Sequence, residues 1–245
     1  MHSNDPSIMG NLFGQTGKGI DRLGQNGSVT FAGADDGDIY YNGAAVPIMP
    51  IQVAAAAIEL ISDSAEDDVG GTGALTVQVW GLDGDYNPVY ETLTMTGVAA
   101  VVGTQLFLRT LELRVMTAGT HETNVGNIDC QAVGAGQVWD RIVADEGLNQ
   151  HSLITVPAGK TFWAVDFDFS SNALVSQTFQ VMKRPYGGAW LVVAKRYTYF
   201  GGSVGHNSPM QVPSRYPEKC DIKMNATVGG AASISSHMHG FLTDN

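Results

Sequence analysis

From residue 51 onward the chain reads as short apolar runs separated by clusters of Gly, Asp, Asn and Pro. Runs of that kind, bounded by turn residues, predict the strands of an antiparallel sandwich or barrel. The first set is "IQVAAAAIELIS", "LTVQVWGL", "VYETLTMT", "QLFLRTLELRVMTA", "NIDCQAV" and "VWDRIVA". In "TLTMTG" and "FLRTLELRV" apolar and polar residues alternate, as expected of a strand with one wet face. The acidic run "DSAEDDVGGTG" between the first two candidates predicts a solvated loop. A second set starts near residue 150 with "HSLITVPAGKTFWAVDFDFSS", "QTFQVMKRP", "GAWLVVAKRYTYF", "EKCDIKMNATV" and "ASISSHMHGFL". "VPAGKTFWAVDFDF" predicts a strand, a tight Pro-Ala-Gly-Lys turn and a second strand. Strict alternation puts Phe162, Ala164, Asp166 and Asp168 on one face of that strand and Trp163, Val165, Phe167 and Phe169 on the other. "KRPYGGAW" predicts a hairpin through Gly187 and Gly188.

Residues 1–50 differ from the rest of the chain. "MGNLFGQTGKGIDRLGQNGS" and "AGADDGDIYYNGAAVPIMP" are glycine-rich and aperiodic, with too few apolar residues to fold alone. They predict an extended N-terminal arm that orders only against its own body or a neighbouring subunit. The expected fold class is all-β, with one or two β-sandwich or jelly-roll-like domains behind that arm. The expected boundaries are 1–50 for the arm, 51–148 for a first sandwich region and 149–245 for a second, separate or merged with the first. The break lies in "ADEGLNQ".

Composition supports a β-rich body: 245 residues at 44% hydrophobic can bury a sizeable core, and 30 glycines disfavour helices. No stretch approaches the roughly 18 to 20 continuous apolar residues of a membrane-spanning helix. "MHSNDPSIMGNLFG" lacks the basic-then-apolar order of a signal peptide, so the expectation is a protein made in a cytoplasm, with no membrane partner. Cys130 and Cys220 match no metal-ligand spacing and are expected as buried free thiols. The net charge of −11 disfavours direct binding of nucleic acid, which needs a basic stripe. The first 149 residues hold 19 acids and five basic residues, against five and eight in the remainder. That asymmetry is compatible with head-to-tail packing of copies, and equally with two unrelated solvated surfaces.

Candidate chemistry is sparse. In "GLDGDYNPVYET" the alternating Asp83, Asp85 and Asn87 suggest calcium ligands. A calcium loop of the EF-hand type also needs glycine at its sixth position and an acid at its twelfth, and these are Pro88 and Thr94. A hairpin turn is the better expectation. "GQTGKG" at 14–19 fails the Walker spacing at Leu12 and Gly19. His237 and His239 in "HMH" share a strand face and are metal-ligand candidates, with His206 as a third ligand. Asp166 and Asp168 could form a carboxylate pair, but no nucleophile elbow or oriented histidine accompanies them, so they read as solvent-facing. Trp80, Trp139, Trp163 and Trp190 are expected in strands, packing cores or interfaces. The expectation is no enzyme, no catalytic residue, no cofactor and no resident metal.

The order of motifs carries a resemblance. Gly71 to Ala74, Gly81 to Asp83, Glu91 with Thr92, Ala118 to Gly126, Val156 to Lys160 and Pro217 to Ile222 follow one another in a pattern that resembles virion structural proteins of tailed bacteriophages. The resemblance spans roughly residues 55 to 243 and leaves the arm unmatched. It implies a β-rich particle component present in many copies, assembled in the host cytoplasm and located in the virion. Its implied partners are the major capsid protein or other virion proteins, together with further copies of itself. Capsid decoration or cement is the expected role, and a tail, neck or fibre domain that binds the host surface or other tail proteins is the alternative.

Overall fold

The computed structural model describes residues 20–40, 51–198 and 204–245, with the side chains of 20–24, 196, 198 and 204–212 outside the description. The described residues form sixteen strands and no helix, so the chain is all-β. They fall into two units, 20–40 together with 151–245, and 51–150. The second is inserted within the first, which is termed the split unit. In chain order the split unit begins with β1 (Ile20–Phe31) and β2 (Ala34–Asp38).

The inserted unit holds β3 (Ala56–Ser62), β4 (Ala74–Leu82), β5 (Pro88–Thr94), β6 (Val101–Phe107), β7 (Arg109–Ala118), β8 (Ile128–Ala132) and β9 (Val138–Ile142). These make two antiparallel sheets, ordered β6-β3-β8-β9 and β5-β4-β7. Ile58 and Leu60 from one sheet and Val77, Val79 and Leu113 from the other meet in one fully buried cluster. Each such side chain contributes about 1.5–3 kcal/mol by leaving water. The run 105–118, expected as one strand, is two. A single strand of that length would extend about 46 Å, whereas β3 has only 7 residues to pair with. The chain breaks at Leu108, whose N–H donates to the Leu82 carbonyl at 2.7 Å. β6 stays beside β3 while β7 crosses to β4.

The split unit resumes with β10 (Ile154–Thr155), β11 (Lys160–Ser171), β12 (Gln177–Arg184), β13 (Leu191–Thr198), β14 (Val204–Tyr216), β15 (Asp221–Gly229) and β16 (Ala232–Asp244). One sheet runs β1-β16-β11-β14; the other runs β10-β15-β12-β13, with β2 also paired to β15. Phe169 of β11 and Phe179 of β12 stack at 4.8 Å between ring centroids, joining the two sheets in a shared core. The Val-Pro-Ala-Gly-Lys turn therefore carries the chain from one sheet to the other instead of closing a hairpin.

Residues 20–38, read in the sequence as part of an arm, lie within these sheets. β1 pairs with β16 over twelve consecutive rungs, from Ile20↔Thr243 to Phe31↔Ala232, and β2 pairs with β15 from Asp38↔Asn225 to Ala34↔Gly229. Gly27 in this stretch has a packing reason: a Cβ there would lie 2.6 Å from the Ile39 carbonyl oxygen and 2.9 Å from Ser152. "GQTGKG" and the rest of 1–19 lie outside the described residues.

The strict alternation expected of β11 does not hold either. A register shift between Ala164 and Asp166 reverses the faces partway along the strand. Phe162, Ala164, Phe167 and Phe169 are all buried, and Asp166 and Asp168 lie on the opposite, solvent-side face. A bulge inserts one residue, here Val165, and so lets aromatic residues of odd and even number share one core.

Candidate functional site

On the outer face of the β1-β16-β11-β14 sheet, a short ladder of ionisable groups is built from these registers. Ala232, Ile234, Ser236 and Met238 take the buried positions of β16, which leaves His237 and His239 on the outer face. The bulge in β11 sets Asp168 opposite His237 and Asp166 opposite His239. The imidazoles meet edge to face with centroids 4.8 Å apart. His239 Nδ1 lies 3.9 Å from Asp166 Oδ2, an ion-pair distance but too long for a hydrogen bond. Asp166 Oδ1 is shielded from water and accepts no hydrogen bond. Burial pushes the His237 pKa below its ordinary value and the His239 charge pushes it further, while Asp168 and Asp166 pull the other way without prevailing. His237 is therefore neutral at pH 7. His206 stands on β14 opposite Phe169, one rung from that of His237 and three rungs from that of His239. Among the described residues, no group of three or more His, Cys, Asp or Glu side chains is placed to hold a metal ion.

The 83–87 segment is the loop between β4 and β5, whose pairing ends at Leu82↔Pro88. Asp83 Oδ1 accepts hydrogen bonds from the main-chain N–H groups of Asp85 and Asn87, both at 2.9 Å, and the Asn87 side-chain amide donates to Asp83 Oδ2 at 3.4 Å. The three residues thus face one another as donor and acceptor within a turn, in which Tyr86 adopts φ 68°. That geometry shapes a loop, since a cation needs several oxygens turned toward one point.

Other acids that sequence reasoning passed over do similar work. The acidic loop 63–73, expected to be solvated, has Asp67 at its centre with no exposed surface. The Asp67 carboxylate accepts from the N–H groups of Ala74, Val125 and Gly126 and from the Ser62 hydroxyl, at 2.6–2.9 Å. A Cβ on Gly73 would lie 2.1 Å from Asp67 Oδ1, which accounts for the Gly-Thr-Gly-Ala turn. Glu91 of β5 accepts from Thr104 and Gln105 of β6, joining an edge strand of each sheet. Burial raises the Glu91 pKa, but these donors outweigh it and the net shift is downward. Glu59 is held low by the Ala135 N–H, the Gln131 side chain and the Gly134 N–H, against the opposing effect of burial. The sequence signal for all three is an acid spaced from glycines or turn residues that bring bare N–H groups together.

The β12–β13 hairpin has a different character. Residues 177–198 contain four basic residues and no acid. β13 ends its sheet, with β12 as its paired strand. Leu191, Val192 and Val193 are 41–49% exposed and Tyr197 is 56% exposed. Both faces of β13 are therefore open, including Ala194, which sits opposite the buried Val181. Trp190, expected in a strand, precedes β13 and lies between two cations, Arg184 at 5.2 Å and Lys223 at 4.7 Å from its ring centroid. Lys195 lies over Tyr197 at 5.1 Å and Lys219 over Tyr186 at 5.3 Å. Asp221 pairs with Arg184 and Asp38 with Lys223, so part of this basic charge is neutralised from β15 and β2.

Cys130 and Cys220 are buried free thiols in different units. Burial raises the thiol pKa of both, that of Cys220 to about 11, which keeps them protonated and unreactive.

No family model matches the chain, and no curated protein matches it in sequence. Among solved structures, the crystal structure of the infectious bursal disease virus VP2 subviral particle aligns with 97% of this chain and 81% of its own at 7% identity and a TM-score of 0.20. The structure of the same virus's Gx strain aligns with 94% of this chain and 74% of its own, also at 7% identity and a TM-score of 0.20. Both are virus-particle structures, and at that TM-score the likeness carries no argument for fold or role.

Proposed function

We propose that the chain is a non-enzymatic structural protein of a tailed-phage particle, a decoration or cement protein that binds the major capsid protein lattice and stabilises it. The observation that carries this reading is β13, which ends its sheet among the described residues and exposes Leu191, Val192, Val193, Ala194 and Tyr197 to solvent across both faces. A bare strand of this kind invites pairing with another chain, and in a particle component that pairing is its use. The ordered turn motifs support the same reading: Gly71 to Ala74 and Glu91 brace loops and sheet edges instead of converging on a substrate. The alternative, a tail, neck or fibre domain that binds an anionic host-surface glycan, draws on the exposed Tyr186 and Tyr197 with lysines over their rings.

Antibody-gold labelling of intact virions in electron micrographs tests the proposal. Label distributed over the capsid shell supports decoration, and label confined to the tail or neck supports the alternative. A chain absent from purified particles would overturn both.

A further inference from the structure

We infer that β13 and the basic groups around it form a docking surface for the acidic inserted unit of a second copy of this chain. The inference deepens the proposed multi-copy role and rests on it. The charge is divided by unit and not by chain half. Residues 51–149 hold 14 acids and three arginines, a net −11, while the rest of the chain holds ten acids and ten basic residues. The whole net charge of the protein thus belongs to the inserted unit. Within the neutral split unit, the β12–β13 hairpin is an acid-free segment with four basic residues.

Two features of the hairpin select the occupant. Its apolar strand needs a protein surface to cover it, since Leu191, Val192 and Val193 gain nothing from water. Its lysines, including Lys195 on the same outer face as Tyr197, need that surface to be acidic. A second β13 satisfies the first condition and fails the second, because it would set Lys195 against its own copy. The inserted unit meets both. It exposes Asp85, Glu122, Asp145 and Glu146, and its edge strand β6 exposes Val102 and Leu106. Contact between two different surfaces of one chain is heterologous, and repetition of it produces rings or extended arrays.

Full-length protein, half of it labelled with ¹⁵N, is treated with a carbodiimide that couples lysine amines directly to carboxylates, and mixed-isotope cross-links are identified by mass spectrometry. The expected inter-copy links join Lys183 or Lys195 to acids within residues 51–149. In parallel, sedimentation equilibrium compares wild type with Val193→Asp and Lys195→Glu, both at exposed positions that leave the core intact. Each variant is expected to weaken self-association at least tenfold, and salt is expected to weaken it in the wild type. A wild type that stays monomeric at all concentrations, unchanged association of both variants, or inter-copy links that avoid the hairpin would overturn the inference. Gold labelling of virions is independent of these results, so a chain found on the capsid without these links keeps the proposed role and loses this contact.

Discussion

Substituting Asp67 by alanine strips the acceptor from three main-chain amides and one hydroxyl in a place without solvent. Each buried donor left unsatisfied costs about 1–3 kcal/mol, so Asp67→Ala should lower stability by about 3 kcal/mol or more, read as a shift in the urea midpoint. Asp67→Asn should recover little, because its amide nitrogen would face an N–H or hydroxyl donor where an oxygen now accepts. At His237 the effect depends on pH. Its folded pKa lies below the ordinary 6.5, so as pH falls through 6.5 the unfolded chain takes up the proton first. Stability from this group is therefore full above 6.5 and declines as pH drops toward the folded value. His237→Asn should reduce the loss of stability between about pH 7.5 and about pH 5.5 relative to wild type, measured by paired denaturant titrations. Glu59 and Glu91, both held low, contribute stability above their ordinary carboxylate range and lose it as pH falls through their folded values.

At the scale of elements, β1 separates two truncations that the sequence alone treats as one. Loss of residues 2–45 removes the twelve-rung partner of β16 and the strand paired to β15, and should abolish the cooperative melt of the split unit by circular dichroism. Loss of 2–19 should leave that melt unchanged. The strands from 74 to 94 were legible because alternation and turn chemistry agree there, and the hairpin through Gly187 and Gly188 for the same reason. β1 was not, since its stability comes from pairing with residues more than 200 positions away and not from its own apolar pattern. β14 was hidden by Pro209 and Pro213, tolerated because the strand lies at a sheet edge with a register break between them. Of the candidate site, the histidine pair could be read from "HMH", but its carboxylate neighbours could not. One bulge residue decides which side Asp166 and Asp168 face. The β6 and β13 edges also differ. β6 has Glu91 seated on its Thr104 and Gln105 amides, which occupies those two donors and leaves its exposed Val102 and Leu106 side chains as the contact surface, whereas the β12–β13 hairpin has no acid of its own to cover its edge.

For the whole molecule, chain order and structural partnership diverge. The inserted unit ends at Gln150, and the charge divides differently from the chain halves once residues 20–38 join the split unit. Residues 51–150 carry their own closed core and should, expressed alone, unfold in a single cooperative transition by calorimetry. Residues 151–245 alone should not, lacking β1 and β2. The split unit closes where the insertion leaves and returns: Tyr40 and His151 form an antiparallel bridge, and the Ser152 N–H donates to the Ile39 carbonyl at 3.2 Å. Two residues so paired have Cα atoms about 4.5–5.5 Å apart, a gap that a few glycines span. To its host fold, the inserted unit is thus equivalent to a hairpin loop, and the bridge is a graft point. A gene encoding residues 1–40 joined to 151–245 through a short linker should yield the host alone, and a different module could be carried in the same slot.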